Sequence, residues 1–395
     1  MTPFVPVARD LVRGIAASRI REVANAAMGT PDVLAFWFGE PDRPTPAFIA
    51  AAAKAALDAG DTYYAPNLGL PSLREAIAAY VGRLHRDDGA SIGASRVAVT
   101  SSGVSALMLA AQALLSPDDT VVAVTPLWPN LSAIARVLGA RVRTVELSVD
   151  AARDRWTLDV DRLLAALSPD TRMLMVNSPG NPTGWVMPPD AQRAVLAHCR
   201  RHGIWVLADE AYERLVFDGR DCANSFLDAA DPADRLVVAN TFSKTWQMTG
   251  WRLGWLVLPE PLVPDIEKLI EFNTSCAPGF VQRAGLAAVI QGEDAAREFV
   301  ASVRAGARAL LAALADLPRV QAVTPDGAMY VMLRVDGEPD SLALAKALVR
   351  DARLGLAPGI AFGPQSEGWL RWCVARPADA LQDGAGRLAR FLAAR

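Results

Sequence analysis

From Arg96 onward the chain alternates short β-branched runs with longer runs rich in Ala and Leu. Val97–Thr100, Thr120–Thr125, Val142–Leu147, Met173–Val176, Ile204–Ala208, Leu236–Ala239 and Leu253–Leu258 read as strands. Val104–Leu115, Asn130–Leu138 and Ala191–His202 read as helices between them. Such alternation builds a largely parallel sheet with helices on both faces, and strands buried on both faces are nearly continuous apolar runs. The expected fold is therefore α/β, with a mostly parallel seven-stranded sheet. The pattern changes after about Pro278, where the long helices Gln282–Gln291 and Asp294–Ala315 precede a shorter αβ segment. In that segment Met329–Val335 and Leu370–Val374 are strands and Leu381–Leu392 is a closing helix. The 395 residues are enough for two ordinary domains. We expect an N-terminal arm (1–45) joining the small domain, a large domain (46–280) and a smaller C-terminal α/β domain (281–395).

Several function classes are unpromising. A formal net charge of −3 gives no basic field for nucleic acid. The four cysteines, Cys199, Cys222, Cys276 and Cys373, stand far apart without a CxxC pair, which fits a reducing cytoplasm better than a disulfide framework. Met1 to Met28 carries four arginines and no continuous apolar run, so no signal peptide is expected. The stretch between Arg96 and Asp118 is uncharged, yet it holds Thr100, Ser101, Ser102, Gly103, Ser105 and Gln112. A strand followed by a buried helix explains it better than a membrane span.

The chain has no GxSxG, HExxH or Walker loop. Its only histidines are His85, His198 and His202. The pair on Ala191–His202 flanks Cys199, but no carboxylate completes that face; we read a solvated helix turn rather than a metal site, and expect no metal. Another base is then needed, and lysine is the natural candidate. In open α/β sheets ligands bind beyond the carboxyl ends of the strands. The distinctive polar residues fall there: Ser101–Gly103, Trp128, Asn177–Gly184, Asp209–Tyr212 and Thr241–Lys244. Lys244, ringed by apolar and aromatic residues at a strand end, is expected to have a lowered pKa suited to Schiff-base chemistry. Thr241, Ser243 and Arg252 are placed to converge on a phosphate.

Six blocks, in order along most of the chain, resemble the class I/II aminotransferases of pyridoxal-5'-phosphate (PLP) fold type I, the aspartate aminotransferase family. They are G-E-P-D at Gly39–Asp42, Tyr64 through Gly69 to Leu73-Arg74, and Asn177-Ser-Pro-Gly-Asn181-Pro-Thr-Gly184. Asp209-Glu-Ala-Tyr212 follows, then Thr241-Phe-Ser-Lys244 with Gly250-Trp-Arg252-Leu-Gly254, then Trp369-Leu-Arg371-Trp. Two departures stand out: Ser178 is one residue more before the first proline of its block, and Val104 replaces a Ser or Thr common among relatives, removing one phosphate contact.

The resemblance implies a PLP-dependent aminotransferase that moves an amino group from an L-amino acid to a 2-oxo acid by a ping-pong mechanism. Lys244 would carry the cofactor as a Schiff base and shuttle the Cα proton. Asp209 would pair with the ring nitrogen, and Tyr212 and Asn181 with the ring oxygen. Trp128 would stack on the ring and reach the substrate. Ser102, Gly103 and Val104 at a helix start, with Thr241, Ser243 and Arg252, would hold the phosphate. Arg371 would clamp the substrate carboxylate, with Gly39, Phe38, Trp128 and Asn181 around it. Tyr64 would act across a two-fold interface of a homodimer, on the partner's cofactor phosphate. The alternative reaction is a PLP-dependent lyase, carbon–sulfur or aminocyclopropane-carboxylate-synthase-like, because fold and cofactor do not fix the reaction. A ligand-sensing regulator is disfavoured, since about forty residues before Gly39 are too few for a winged helix and its linker. A dicarboxylate substrate would need a second cation, for which Arg19, Arg21, Arg43 and Arg283 are candidates. Phe36-Trp37-Phe38 reads equally as core or as an aromatic substrate wall.

Overall fold

A computed structural model describes residues 7–85 and 92–395; the first six residues of the expected N-terminal arm lie outside the described residues. The seven expected strands form one sheet: β1 (Val97–Thr100), β2 (Thr120–Thr125), β3 (Arg141–Glu146), β4 (Thr171–Asn177), β5 (Trp205–Asp209), β6 (Leu236–Thr241) and β7 (Gly254–Val257). Their order is β1-β7-β6-β5-β4-β2-β3. Only β7 runs antiparallel to its neighbours.

The strand pleat explains the apolar runs. Along β2, Val122 and Val124 enter one core while Val121 and Ala123 enter the core on the opposite face. The exception is β3, whose Arg141, Arg143, Thr144 and Glu146 are not buried. It is the sheet edge, where charged side chains discourage pairing with another chain. The uncharged stretch after Arg96 resolves into β1, a turn and the Gly103–Leu114 helix. Among the described residues no helix is long and apolar enough to cross a membrane.

A second core forms around a four-stranded antiparallel sheet of β8 (Val320–Val323), β9 (Tyr330–Val335), β10 (Ala357–Pro358) and β11 (Trp369–Cys373), in the order β8-β9-β11-β10. The arm joins it: Ile20, Val23, Phe36 and Trp37 lie in this core, and Leu34-Ala35 pairs in parallel with Leu354-Gly355. Residue 281 falls inside the Gly279–Gln291 helix, whose Val281, Ala284 and Ala288 pack into the large core. On the following Glu293–Ala315 helix, Phe299, Val303, Ala307, Leu310 and Leu314 pack into the second core instead. The apolar pattern of the two helices shows that each buries a face, but not which core that face meets.

Candidate active site

Three adjacent parallel strands end on polar residues: β4 on Asn177, β5 on Asp209 and β6 on Thr241. Beyond those ends lies a cavity of about 340 Å³, closed from the other side by the arm and by β9 and β11. It collects Lys244, Asp209, Tyr212, Asn181, Thr241, Ser243, Arg252, Gly103, Val104, Trp128, Gly39, Phe38 and Arg371. Two expected residues stand apart. Ser102 lies behind the lining, where its hydroxyl caps the helix by accepting from the Ser105 N–H at 3.0 Å. Its φ of +142° is a region normally left to glycine, a strain of a kind that clusters at ligand sites. Tyr64 does not line the cavity of its own chain and is 89% exposed.

Lys244 stands on a short turn, Phe242–Thr245, that Thr241 caps by accepting from the Ser243 N–H. Its Nζ donates to the Gly39 carbonyl at 2.7 Å and lies 5.6 Å from the Tyr212 ring centroid. Burial lowers its pKa from 10.5 to about 8, bringing the free amine within reach near neutral pH. Asp209 is buried, and desolvation raises its carboxyl from 3.8 to about 6 against the Ala211 N–H and the nearby Lys244 charge. No cation sits in hydrogen-bond contact with it among the described residues. Asn177, a strand-end polar residue to which the sequence assigns no role of its own, braces this end of the sheet. Its amide donates to the Asp209 carbonyl at 3.0 Å and accepts the Asn181 N–H at 2.7 Å. The available signal was its register position opposite Asp209.

Arg371 is 2% exposed on β11 and has no carboxylate partner among the described residues. Its Nη1 donates to Asn181 Oδ1 at 2.7 Å, its Nη2 donates to the Trp37 carbonyl, and its Nε is buried without a partner. The guanidinium lies 4.3 Å from the Tyr330 ring centroid and 4.8 Å from that of Phe362. A buried cation held by neutral acceptors and ring faces is poised for an anion.

The phosphate end is built from close backbone contacts. A Cβ on Gly254 would meet Gly103 N at 2.6 Å and Ser102 C at 2.7 Å, so β7 approaches the helix start only because Gly254 lacks a side chain. Arg252, at φ +55°, precedes this contact and reaches the cavity. The helix N-terminus, Thr241, Ser243 and Arg252 together favour an anion.

Of Phe36-Trp37-Phe38, the first two are core and only Phe38 faces the cavity. Three candidate arginines are occupied elsewhere: Arg19 by Glu22 at 2.7 Å, Arg43 by Glu298 at 3.0 Å and Arg283 by Asp61 at 2.9 Å. Arg21 lines the cavity, with its guanidinium 5.6 Å from the Phe38 ring centroid. The His198–His202 turn is less solvated than expected: His198 bonds the Leu167 carbonyl and Cys199 faces the core at 1% exposure.

Residues 31–388 match the family model for aminotransferases of class I and II. The chain belongs to the class I and II aminotransferases. Similar proteins share that chemistry by name. An aspartate aminotransferase of Pyrococcus horikoshii is 31% identical over 96% of this chain and 95% of its own. An arginine–pyruvate transaminase of Pseudomonas aeruginosa is 33% identical over 93% and 92%. The structure of a Thermus thermophilus aspartate aminotransferase with maleate superposes with a TM-score of 0.89 at 30% identity, covering 98% of this chain and all of that one. The fold is thus that of the aspartate aminotransferase type, and the chain is an enzyme of amino-group transfer in a PLP-dependent family.

Proposed function

We propose that this aminotransferase binds PLP at Lys244 and passes an amino group from an L-amino acid to a 2-oxo acid in a ping-pong cycle. The observation that carries the reading is the pairing, in one cavity, of a desolvated Lys244 with a buried Arg371 that has no carboxylate partner among the described residues. When bound, PLP supplies an electron sink for the bond that breaks at the substrate Cα. The residues fit it. Asp209, buried with no cation in hydrogen-bond contact among the described residues, offers its charge to a protonated ring nitrogen, and Tyr212 and Asn181 offer polar groups to the ring oxygen. Trp128 offers a ring face. Gly103, Val104, Thr241, Ser243 and Arg252 form the anion-binding end, with Ser102 capping the helix behind it.

Arg371 binds the substrate α-carboxylate through its fork, with Asn181 holding one nitrogen in place. Lys244 Nζ, as the free amine, would take the proton from the substrate Cα and hold it as the ammonium for return to carbon. Gly39 holds Nζ through its carbonyl, and Phe38 beside it shapes the side-chain pocket. We further propose a homodimer in which Tyr64 serves the partner's cavity, supported by the 85% and 89% exposure of the neighbouring Tyr63 and Tyr64. A cytoplasmic setting is supported by four free cysteines.

The test is a panel of amino acids offered with 2-oxoglutarate and with pyruvate, read by formation of the new amino acid. Product that requires the oxo acid supports transfer. Ammonia released from one amino acid without an acceptor would move the reading to a lyase.

A further inference from the structure

Tyr330, the first residue of β9, was not singled out by its sequence, yet it touches three parts of the site. Its hydroxyl lies 2.7 Å from the hydroxyl of Tyr212. The two rings meet edge to face, with centroids 5.7 Å apart and planes at 74°. Its ring is the platform under the Arg371 guanidinium. Its hydroxyl also sits against the arm: a Cβ on Gly39 would lie 1.8 Å from that oxygen, so Gly39 is the only residue type that admits it. Both tyrosines are buried, at 1% and 4% exposure.

We propose that Tyr330 is a positioning residue whose hydroxyl donates to the Tyr212 oxygen and so directs the Tyr212 proton into the cavity, toward the cofactor. This rests on the PLP reading above.

Packing alone does not require the hydroxyl, since a phenylalanine ring would serve as platform equally well. Two neutral phenols in contact share one hydrogen bond, and one of them keeps a free proton. Burial holds Tyr330 at about 12 and pushes Tyr212 up as well, so both stay protonated at working pH. The surroundings decide the direction: the Tyr330 hydroxyl is packed against Gly39 and has Tyr212 as its one hydrogen-bond partner among the described residues, so its proton has no other acceptor there. The Arg371 guanidinium lowers the pKa of both hydroxyls, opposed by Glu40 at Tyr330 and by Asp209 at Tyr212, and it is the Tyr330 ring that it touches directly. The Asp209 carboxylate near Tyr212 makes that oxygen the better acceptor. A donor behind Tyr212 polarises its own O–H and strengthens the onward bond. Tyr212 then stabilises negative charge on the cofactor ring oxygen, and the proton that charge helps to hold is released more easily.

The experiment is a pH titration of the visible absorption band of the PLP-loaded enzyme, for wild type, Tyr330→Phe, Tyr212→Phe and the double variant. Tyr330→Phe should raise the midpoint by ~0.5 of a pH unit or more, roughly threefold in the protonation equilibrium. Tyr212→Phe should raise it further, and the double variant should titrate like Tyr212→Phe alone. A Tyr330→Phe midpoint equal to wild type overturns the proposal. So does a Tyr330→Phe shift that persists in full in the Tyr212→Phe background, because Tyr330 then acts by another route. If Tyr330→Phe does not fold, 3-fluorotyrosine placed at position 330 gives the opposite test: its more acidic hydroxyl should lower the midpoint. A wild-type protein that gains no visible band with PLP fails the functional reading itself, whereas a titrating wild type with unmoved variants fails only the role of Tyr330.

Discussion

Lys244 and Asp209 carry opposite burial costs, and each gives a measurable consequence. Borohydride reduction of the PLP-loaded enzyme followed by peptide mapping should place the pyridoxyl group on Lys244; a label on another lysine would break the assignment. In the cofactor-free protein the amine, lowered to about 8, is free above that pH and mostly protonated below it. The rate of reaction of Lys244 with an aldehyde reagent should therefore rise about tenfold per pH unit up to about 8 and level off there. A profile still climbing to the ordinary lysine range near 10.5 would mean the head group is solvated. Asp209→Ala should lower kcat on the order of a thousandfold, while PLP loading changes much less, because the carboxylate acts on the ring during reaction. Near-normal turnover in the folded variant would refute that role. The strand-end places of these two residues were legible in the sequence, because each ends or follows an apolar strand run; the roles given to them came from the family resemblance, since a strand-end lysine alone is ordinary. Asn177 was legible as a polar residue at a strand end but its partners were not, and Tyr330 was not singled out. Those contacts come from cross-strand register and from the meeting of two cores, which no local pattern encodes.

The sheet strands were legible for a related reason: two-sided burial writes continuous apolar runs, and all seven such runs became strands of one sheet. Elements whose apolar pattern is weaker were harder to read. The edge strand Val320–Val323, only partly buried over most of its length, is such an element; the Ser341–Ala352 helix, which buries a clear apolar face, is not, and its pattern alone does not explain why it was passed over. The arm shows the same limit, since three consecutive aromatics divide between core and cavity. Phe38→Ala should shift preference toward bulkier side chains, read as the ratio of kcat/KM values across an amino-acid panel. An unchanged ratio would leave Phe38 a packing residue. At the end of the Pro71–His85 helix, His85 is clamped by Glu213 and Asp228, each at 3.2 Å, with Glu210 nearby. Burial alone would depress its pKa, but hydrogen bonds to Asp228 and Glu213 outweigh burial and lift it from 6.5 to about 10. A raised folded-state pKa stabilises fully below about 6.5 and loses that contribution as pH rises through about 10. The wild type should thus lose on the order of a few kcal/mol of stability between those limits. His85→Gln should lose less over the same window in denaturant titrations, and an equal loss would show that the clamp holds no extra proton. Glu210, raised by burial to about 8 and held down in part by the His85 charge, adds its own destabilisation as it ionises, and without that charge its ionisation moves to higher pH in the variant.

At the scale of the whole molecule, the Tyr64–Arg74 block ties its two ends to different tasks. Arg74 is anchored in its own chain, donating to the Val97 and Ala94 carbonyls at 2.8 Å each. Gln282 accepts the Leu70 N–H at 2.7 Å, fixing the intervening turn to the large core. The block is thereby a rigid mount, yet it presents Tyr63 and Tyr64 to solvent and away from the cavity of the same chain. A mount this well fixed for two exposed aromatic rings is costly in a monomer and useful in a dimer. A two-fold axis would make the exchange reciprocal, each chain giving one Tyr64 and receiving one. Mixing tests it. Lys244→Ala should be inactive and Tyr64→Ala impaired. Unfolded and refolded together, the two variants form mixed dimers in which one cavity combines intact Lys244 from one chain with intact Tyr64 from the other. The opposite cavity carries both defects. Random pairing then restores about a quarter of all sites to wild type. A Tyr64 acting within its own chain restores none. Activity above the mean of the two parents is the expected result, and activity no higher than that mean, with subunit exchange demonstrated by a tagged chain, rules out service across the interface.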